Sequence, residues 1–236
     1  MKPAHFAIAL ALIAAMLLLV AGPGTRLELW DFRAGFTLMR WAAFTGLGAA
    51  AIAAVMLLLP RTRRAAPVAL LMALAVGLGV AFVPWNGLRQ ARSLPPIHDI
   101  TTDTTRPPEF VAVLPLRADA PNSAIYEGAE IAKAQREGYP DLRTARMAIA
   151  PSVAFERAHR AARDMGWEIV AADATSGRIE ATDTTLWFGF KDDVVIRVEA
   201  DGAGSRVDVR SVSRVGGSDV GANAARIRAF LQAIES

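Results

Sequence analysis

The sequence predicts an α+β domain carried behind an all-α membrane segment. Two observations lead there. Three long hydrocarbon stretches are confined to the first 86 residues, and from Phe190 onward polar and apolar residues alternate before giving way to an amphipathic helix.

Residues 4–21, 41–59 and 66–83 are almost purely apolar over roughly 18–20 positions, the length a helix needs to cross a bilayer. His5, at the very start, is their only ionisable residue. The first stretch also resembles a signal peptide, since Lys2 precedes it and Ala21-Gly22 follow. Its apolar core is too long for that and no Ala-x-Ala pattern closes it, so an uncleaved anchor is expected. Small residues recur every four positions, Ala42, Gly46, Ala50 and Ala54 in the second stretch and Ala69, Ala73, Gly77 and Ala81 in the third. Such stripes let two backbones approach closely in lipid. Transport needs polar or ionisable groups along a path through the bilayer, and these stretches lack them, which favours anchorage.

The segment Pro60-Arg61-Thr62-Arg63-Arg64 crowds three arginines between the second and third stretches, on the same side as Lys2. By the positive-inside rule the amino terminus is expected in the cytoplasm and everything after Trp85 outside it. The chain has no cysteine, and its formal net charge of +3 comes from scattered arginines rather than one basic block. Nucleic acid is therefore not expected as a partner.

Residues 87–121 lose periodicity and gain prolines at 95, 96, 107, 108, 115 and 121. They read as an extended connector between a membrane domain (1–86) and a soluble extracytoplasmic domain (122–236). Asn122 or Ser123 caps a helix reaching Glu137, stopped by Gly138 and Pro140. A short strand over 143–150 follows. Pro151-Ser152 then opens a helix that buries Phe155, Ala158, Ala162 and Met165 and stops at Gly166.

Strands are expected over 167–172 and 178–186, joined by Asp173-Ala174-Thr175-Ser176-Gly177. A charged hairpin comes next, Phe190–Val198 and Ser205–Arg214, with turn residues Asp201-Gly202-Ala203-Gly204. With that turn Val198 faces Val207 and Ile196 faces Val209, while Glu199 meets Arg206 and Arg197 meets Asp208. A last helix, capped by Ser218 or Asp219, buries Val220, Ala224, Ile227, Leu231 and Ile234. The expected order is strand, helix, four strands, helix: an antiparallel sheet with its two main helices on one face.

Several motifs are long enough to compare with a known family. Phe190, Asp192-Asp193-Val194-Val195-Ile196-Arg197, the run Arg206 to Gly216, Ser218-Asp219, Gly221, Asn223-Ala224 and Arg226-Ile227-Arg228 resemble the signature of the family catalogued as domain of unknown function 1499. Asp99-Ile100-Thr101-Thr102-Asp103 and Tyr139-Pro140-Asp141 resemble its upstream motifs, so the likeness covers roughly residues 95–235. It implies an exported or membrane-associated protein of bacteria or plastids and no particular activity.

Candidate chemistry is sparse. Adjacent Asp192 and Asp193 point to opposite faces of a strand and cannot share a proton or a metal. Asp193, Arg197, Arg210 and Arg214, with Asp219, Asn223 and Arg226 at the next helix start, are expected to form a polar network tying helix to sheet. A second reading makes them an anion or ligand site. His98, Asp99 and Asp103 match no familiar metal spacing and read as turn residues. Gly216-Gly217 has no following lysine to hold phosphate, Ser211 and Ser213 have no neighbouring histidine, and His159 reads as structural. No metal and no cofactor is expected.

The expected function is that of a bacterial cell-envelope protein of the inner (plasma) membrane. Its periplasmic domain binds an envelope protein or an amphipathic ligand without catalysis. The competing reading is a hydrolase-like envelope enzyme using His98, Asp99, Asp103 and Asp193, which requires those side chains to converge in one cleft.

Overall fold

The computed structural model describes residues 3–235. Two compact units make it up. One holds the chain up to Gln90 together with Leu186–Gly189, and the other holds Ala91–Thr185 and the chain from Phe190 on.

The first unit is built from α1 (Pro3–Arg26), α2 (Phe32–Leu58), the short α3 (Pro60–Ala65) and most of α4 (Pro67–Ser93). Three of these, over Ala4–Arg26, Phe32–Leu58 and Pro67–Ser93, are long and apolar enough to cross a membrane. They outrun the expected hydrocarbon stretches, and at the start of α2 a cap holds the extension. The side chain of Asp31 accepts hydrogen bonds from the backbone N–H groups of Arg33 and Ala34, so α2 starts nine residues before Trp41. Arg61, Arg63 and Arg64 lie on α3, which Pro60 opens.

Ala42, Gly46 and Ala50 of α2 are buried, as are Ala73, Gly77 and Ala81 of α4. A Cβ added at Gly77 would stand 2.4 Å from the carbonyl oxygen of Gly46. The two backbones thus meet where the small-residue stripes predict.

In the second unit the elements are β1 (Asp99–Thr101), a 3-10 turn (Leu114–Arg117), α5 (Ala129–Gly138), β2 (Ala145–Met147), α6 (Pro151–Asp164), β3 (Glu168–Asp173), β4 (Arg178–Thr184), β5 (Lys191–Asp201), β6 (Gly204–Ser213) and α7 (Ala222–Glu235). All strand pairs are antiparallel, in the order β1-β6-β5-β4-β3, with β2 also pairing β6. The β5–β6 register is the one the charge pattern predicts: Val198 pairs Val207, Ile196 pairs Val209, Glu199 pairs Arg206 and Arg197 pairs Asp208. Asp201 pairs Gly204, which leaves a two-residue turn with Gly202 at φ 60. That is the backbone a tight hairpin demands of its first central residue.

Two segments differ from expectation. Residues 99–101, within the proline-rich stretch, form β1 on the edge of β6, a strand that the expected order lacks. The helix expected from Asn122 begins only at Ala129, because the preceding backbone and side chains are spent on the sheet. Asn122 Nδ2 donates to the carbonyls of Ser213 and Gly216, and the Ala124 carbonyl accepts from Arg210.

Strand alternation gives the sheet two unlike faces. Ile179, Ala181, Val194, Ile196, Val198, Val207 and Val209 join Ala154, Phe155, Ala158, Ala162, Ala224, Ile227, Phe230 and Ile234 from α6 and α7 in one apolar core. The end of α6 is a Schellman motif: Gly166, at φ 79, donates to the Arg163 carbonyl and Trp167 to that of Ala162. The other face alternates with the first and carries Asp193, Val195 and Arg197 on β5 and Asp208, Arg210 and Val212 on β6. Phe110 and Val113 pack on Val195 and Val212 there.

Candidate functional site

The charged face of the sheet carries three clusters of ion-paired side chains, each around a carboxylate or guanidinium buried on the sheet. In the first, Asp193 is fully buried and accepts from Arg117 Nη1 at 2.5 Å, from Arg214 Nε at 2.9 Å and Nη2 at 2.8 Å, and from Thr182 Oγ1 at 2.7 Å. Burial alone would raise the Asp193 pKa, but the hydrogen bonds from Arg214, Thr182 and Arg117 outweigh it and hold the carboxyl below its ordinary value.

The second cluster centres on Arg210, which forks onto Asp99 with Nε at 2.9 Å from Oδ1 and Nη2 at 2.7 Å from Oδ2. The same guanidinium donates to the carbonyls of Pro108 and Ala124, and its carbon lies 5.2 Å from the ring centre of Phe110 and 5.4 Å from that of Tyr126. Burial, together with the nearby Asp99 charge, pushes the Tyr126 hydroxyl up to about 12.

Asp208 organises the third. It accepts from Arg197 and Arg206 at 2.8 Å, from Thr144 Oγ1 at 2.5 Å and from Thr102 Oγ1 at 3.2 Å. Asp103 sits above the same pair of arginines, 3.1 Å from Arg197 and 2.8 Å from Arg206. Desolvation opposes the charge on Asp103, yet the backbone N–H groups of Arg106 and Thr105 and both guanidinium charges keep its pKa below the ordinary value. Beside these clusters Glu180, also fully buried, accepts from the backbone N–H groups of Val111 and Val113.

A fourth cluster lies on the opposite face, under α7. Arg226 donates to Asp192 at 2.6 Å and to Asp183 at 2.7 Å, and Asn223 bonds Ser211, Ser213 and the His98 carbonyl. Asp219 accepts from the backbone N–H groups of Gly221 and Asn223 and so caps the helix. Burial, with a contribution from the Asp192 charge, raises its pKa in spite of those bonds.

The seven residues expected in one network therefore separate. Asp193 meets Arg214; Arg197 and Arg210 lie on the same face but have other carboxylate partners. Asp219, Asn223 and Arg226 belong to the other side, where the carboxylate that reaches Arg226 from β5 is Asp192. Strand alternation is the cause, since neighbouring residues on β5 cannot serve one site.

The competing enzyme set is not brought together either: Asp99, Asp103 and Asp193 each pair with different arginines, and His98 offers its carbonyl to Ser213 and Asn223. Among the described residues no group of three His, Cys, Asp or Glu side chains is placed to hold a metal ion. Sequence reading missed Arg117, Glu180 and Asp183 as network members, whereas Asp208 was expected opposite Arg197 and is found there. For Glu180 a signal existed, a carboxylate between Ile179 and Ala181 on a strand.

Beside Asp103 a cleft of about 330 Å³ opens, lined by Arg106, Pro107, Pro108, Glu109, Val111, Ser176, Arg178, Val195 and Arg197. Its three guanidinium groups are already paired, Arg106 with Glu199, Arg178 with Glu180, and Arg197 with Asp208 and Asp103.

An α+β domain with buried ion pairs, preceded by three apolar helices that suggest anchorage in a membrane, is the class of protein these features define. Residues 99–234 match the model of the family described as Protein of unknown function (DUF1499), and the chain belongs to that family. No match was found among curated proteins.

Proposed function

We propose that this is a cell-envelope protein of the inner (plasma) membrane of a bacterium, with its amino terminus cytoplasmic and its sheet domain periplasmic. That domain binds an envelope protein or an amphipathic ligand and performs no catalysis. One observation carries the non-catalytic part: the carboxylates an enzyme would need, Asp99, Asp103 and Asp193, are each held by guanidinium groups. A general base needs a pKa near the working pH, and two of these three lie below even the ordinary aspartate value.

In this reading Asp193, Arg197, Arg210, Arg214, Asp219, Asn223 and Arg226 hold the architecture. The ligand's anionic group is assigned to the cleft lined by Arg106, Arg178 and Arg197, where it would share guanidinium groups already paired with Glu199, Glu180 and Asp208.

The test uses the full chain purified in mild detergent. Extraction and mass spectrometry of co-purifying lipid, and cross-linking in intact cells, should yield an anionic amphiphile or an envelope protein. Either signal should weaken several-fold in Arg178→Ala. Recovery of neither, or ester or phosphoester hydrolysis abolished by Asp103→Asn, overturns the reading.

A further inference from the structure

The tetrapeptide Leu186-Trp187-Phe188-Gly189 belongs to the helical unit, although its chain neighbours are strands β4 and β5. The Trp187 indole covers Gly22 of α1 so closely that a Cβ there would stand 2.3 Å from the ring. Phe188 packs against Gly35 of α2 and lies 5.1 Å, centre to centre, from Phe36. Arg26, the last residue of α1, donates from Nη1 to the Leu186 carbonyl at 2.8 Å. Gly189, at φ 71, lies against Arg26 where a side chain would collide.

We propose that this tetrapeptide is a membrane-seated loop, with Leu186 and Trp187 at the boundary between headgroups and hydrocarbon of the bilayer that α1 and α2 cross. The inference rests on the spanning helices and is independent of what the arginine cleft binds.

Depth comes first. The span of α1 begins at Ala4. About 20 helical residues exhaust the hydrocarbon thickness. Gly22 and Arg26 therefore fall at its edge, and so do the side chains packed on them. Tryptophan is at home at that level, where its ring is buried and its N–H stays near water.

Exposure is the second observation. Packing accounts for Phe188, which is buried, but not for Leu186, which is 87% exposed and points away from the protein. Leu27 and Leu29, in the turn after α1, are 69% and 68% exposed. Single exposed leucines are ordinary, but three with Trp30 and Trp187 beside one end of spanning helices form the apolar rim that an interface would cover. Lipid is the occupant because this rim continues the surface of helices that are themselves apolar enough to span.

The chain has no cysteine, so Leu186→Cys supplies a unique site for a nitroxide label in the full-length protein. The labelled protein is placed in vesicles of phosphatidylcholine and phosphatidylglycerol, and collision rates are measured with oxygen, which concentrates in hydrocarbon, and with a water-soluble nickel chelate. Leu47→Cys on the exposed side of α2 and Ala203→Cys at the β5–β6 turn are the lipid and water references. Nickel collisions at 186 are expected several-fold below those at 203, with oxygen favoured as at 47. Nickel access at 186 equal to that at 203, while 47 reports lipid, overturns the loop assignment alone. Water access at 47 as well overturns the spanning helices and the loop together.

Discussion

Replacing Asp193 by asparagine keeps the shape of the side chain and removes one charge from a fully buried site. The amide retains a single acceptor oxygen for four donor atoms, and its NH2 group must face a guanidinium. The side chain of Arg117 is only 3% exposed and that of Arg214 16%, so water cannot take over the two cations left without their counterion. Removing one partner from a buried pair costs about 3–5 kcal/mol, because the remaining charge stays desolvated. For a unit of roughly 140 residues, with an unfolding entropy of about 2 cal/mol/K per residue, that is a fall in Tm of about 10–17 °C.

The expected outcome for Asp193→Asn is thus a loss of that size in the sheet domain, read by scanning fluorimetry and pulse proteolysis of the full chain in detergent. Thr182→Val, which removes one neutral donor to the same carboxylate, should cost about 1 kcal/mol. A fall of less than about 3 °C for Asp193→Asn would refute the account of this cluster, and the same variant folding normally while losing an activity would move Asp193 to the catalytic side.

Asp201→Ala breaks an exposed pair with Arg146 and should change stability by less than about 0.5 kcal/mol in the same assay. Gly177→Ala should destabilise by about 2–4 kcal/mol, since φ is +65 and a Cβ would stand 2.1 Å from the Val198 carbonyl oxygen; Gly202→Ala, at φ 60 in open space, should cost only about 1–2 kcal/mol. On acidification, Asp193 and Asp103 contribute stability that is whole above the ordinary value of 3.8 and is lost as pH falls through their lower folded values, so the Tm of the sheet domain should drop most steeply below pH 3.8, and less steeply in Asp193→Asn. Asp219, with its pKa raised, works in the opposite direction: its contribution is whole below 3.8 and lost as pH rises through the folded value. Gly77→Val should destabilise the helical unit by about 1–3 kcal/mol, read as a lower SDS fraction at loss of ellipticity, whereas Gly79→Ala, with nothing within 4 Å, should not.

The hairpin register was legible because opposite charges and alternating apolar residues, on a turn of fixed length, leave one pairing that satisfies both faces. The contact of α2 with α4 was legible through Gly46 and Gly77 for a similar reason, a periodicity that holds over several turns. What escaped is non-local or short. The three residues of β1 have no period to detect, and Asp99 finds Arg210 111 positions away. Arg117 comes from an irregular stretch whose prolines disguised how much of it packs on the sheet. The division of the polar residues between faces was readable in principle. Asp193 pairs Val212, so its neighbours across the strands are Arg210 and Arg214, while Ser211 and Ser213 turn toward α7. Counting residues along β6 before grouping them separates Asn223 and Arg226 from the rest.

Why the charged face is charged at all is the harder question, since well-packed apolar residues would do as well for stability or better. The answer lies in what covers that face. Asp99 at the start of β1 and Asp103, Val111, Val113, Arg117 and Asn122 in the stretch after it meet fixed partners on the sheet: Arg210, Arg206, Glu180 (shared by Val111 and Val113), Asp193 and the Ser213 carbonyl. An apolar sheet face would accept that stretch in many registers. Carboxylates and guanidiniums in fixed positions accept it in one, because a slip strands desolvated charge at several places at once. The ion pairs therefore set the path of the chain from β1 to α5, and with it the positions of Arg106 and Pro108 at the cleft. A ligand bound there would contact side chains that the buried clusters have already placed.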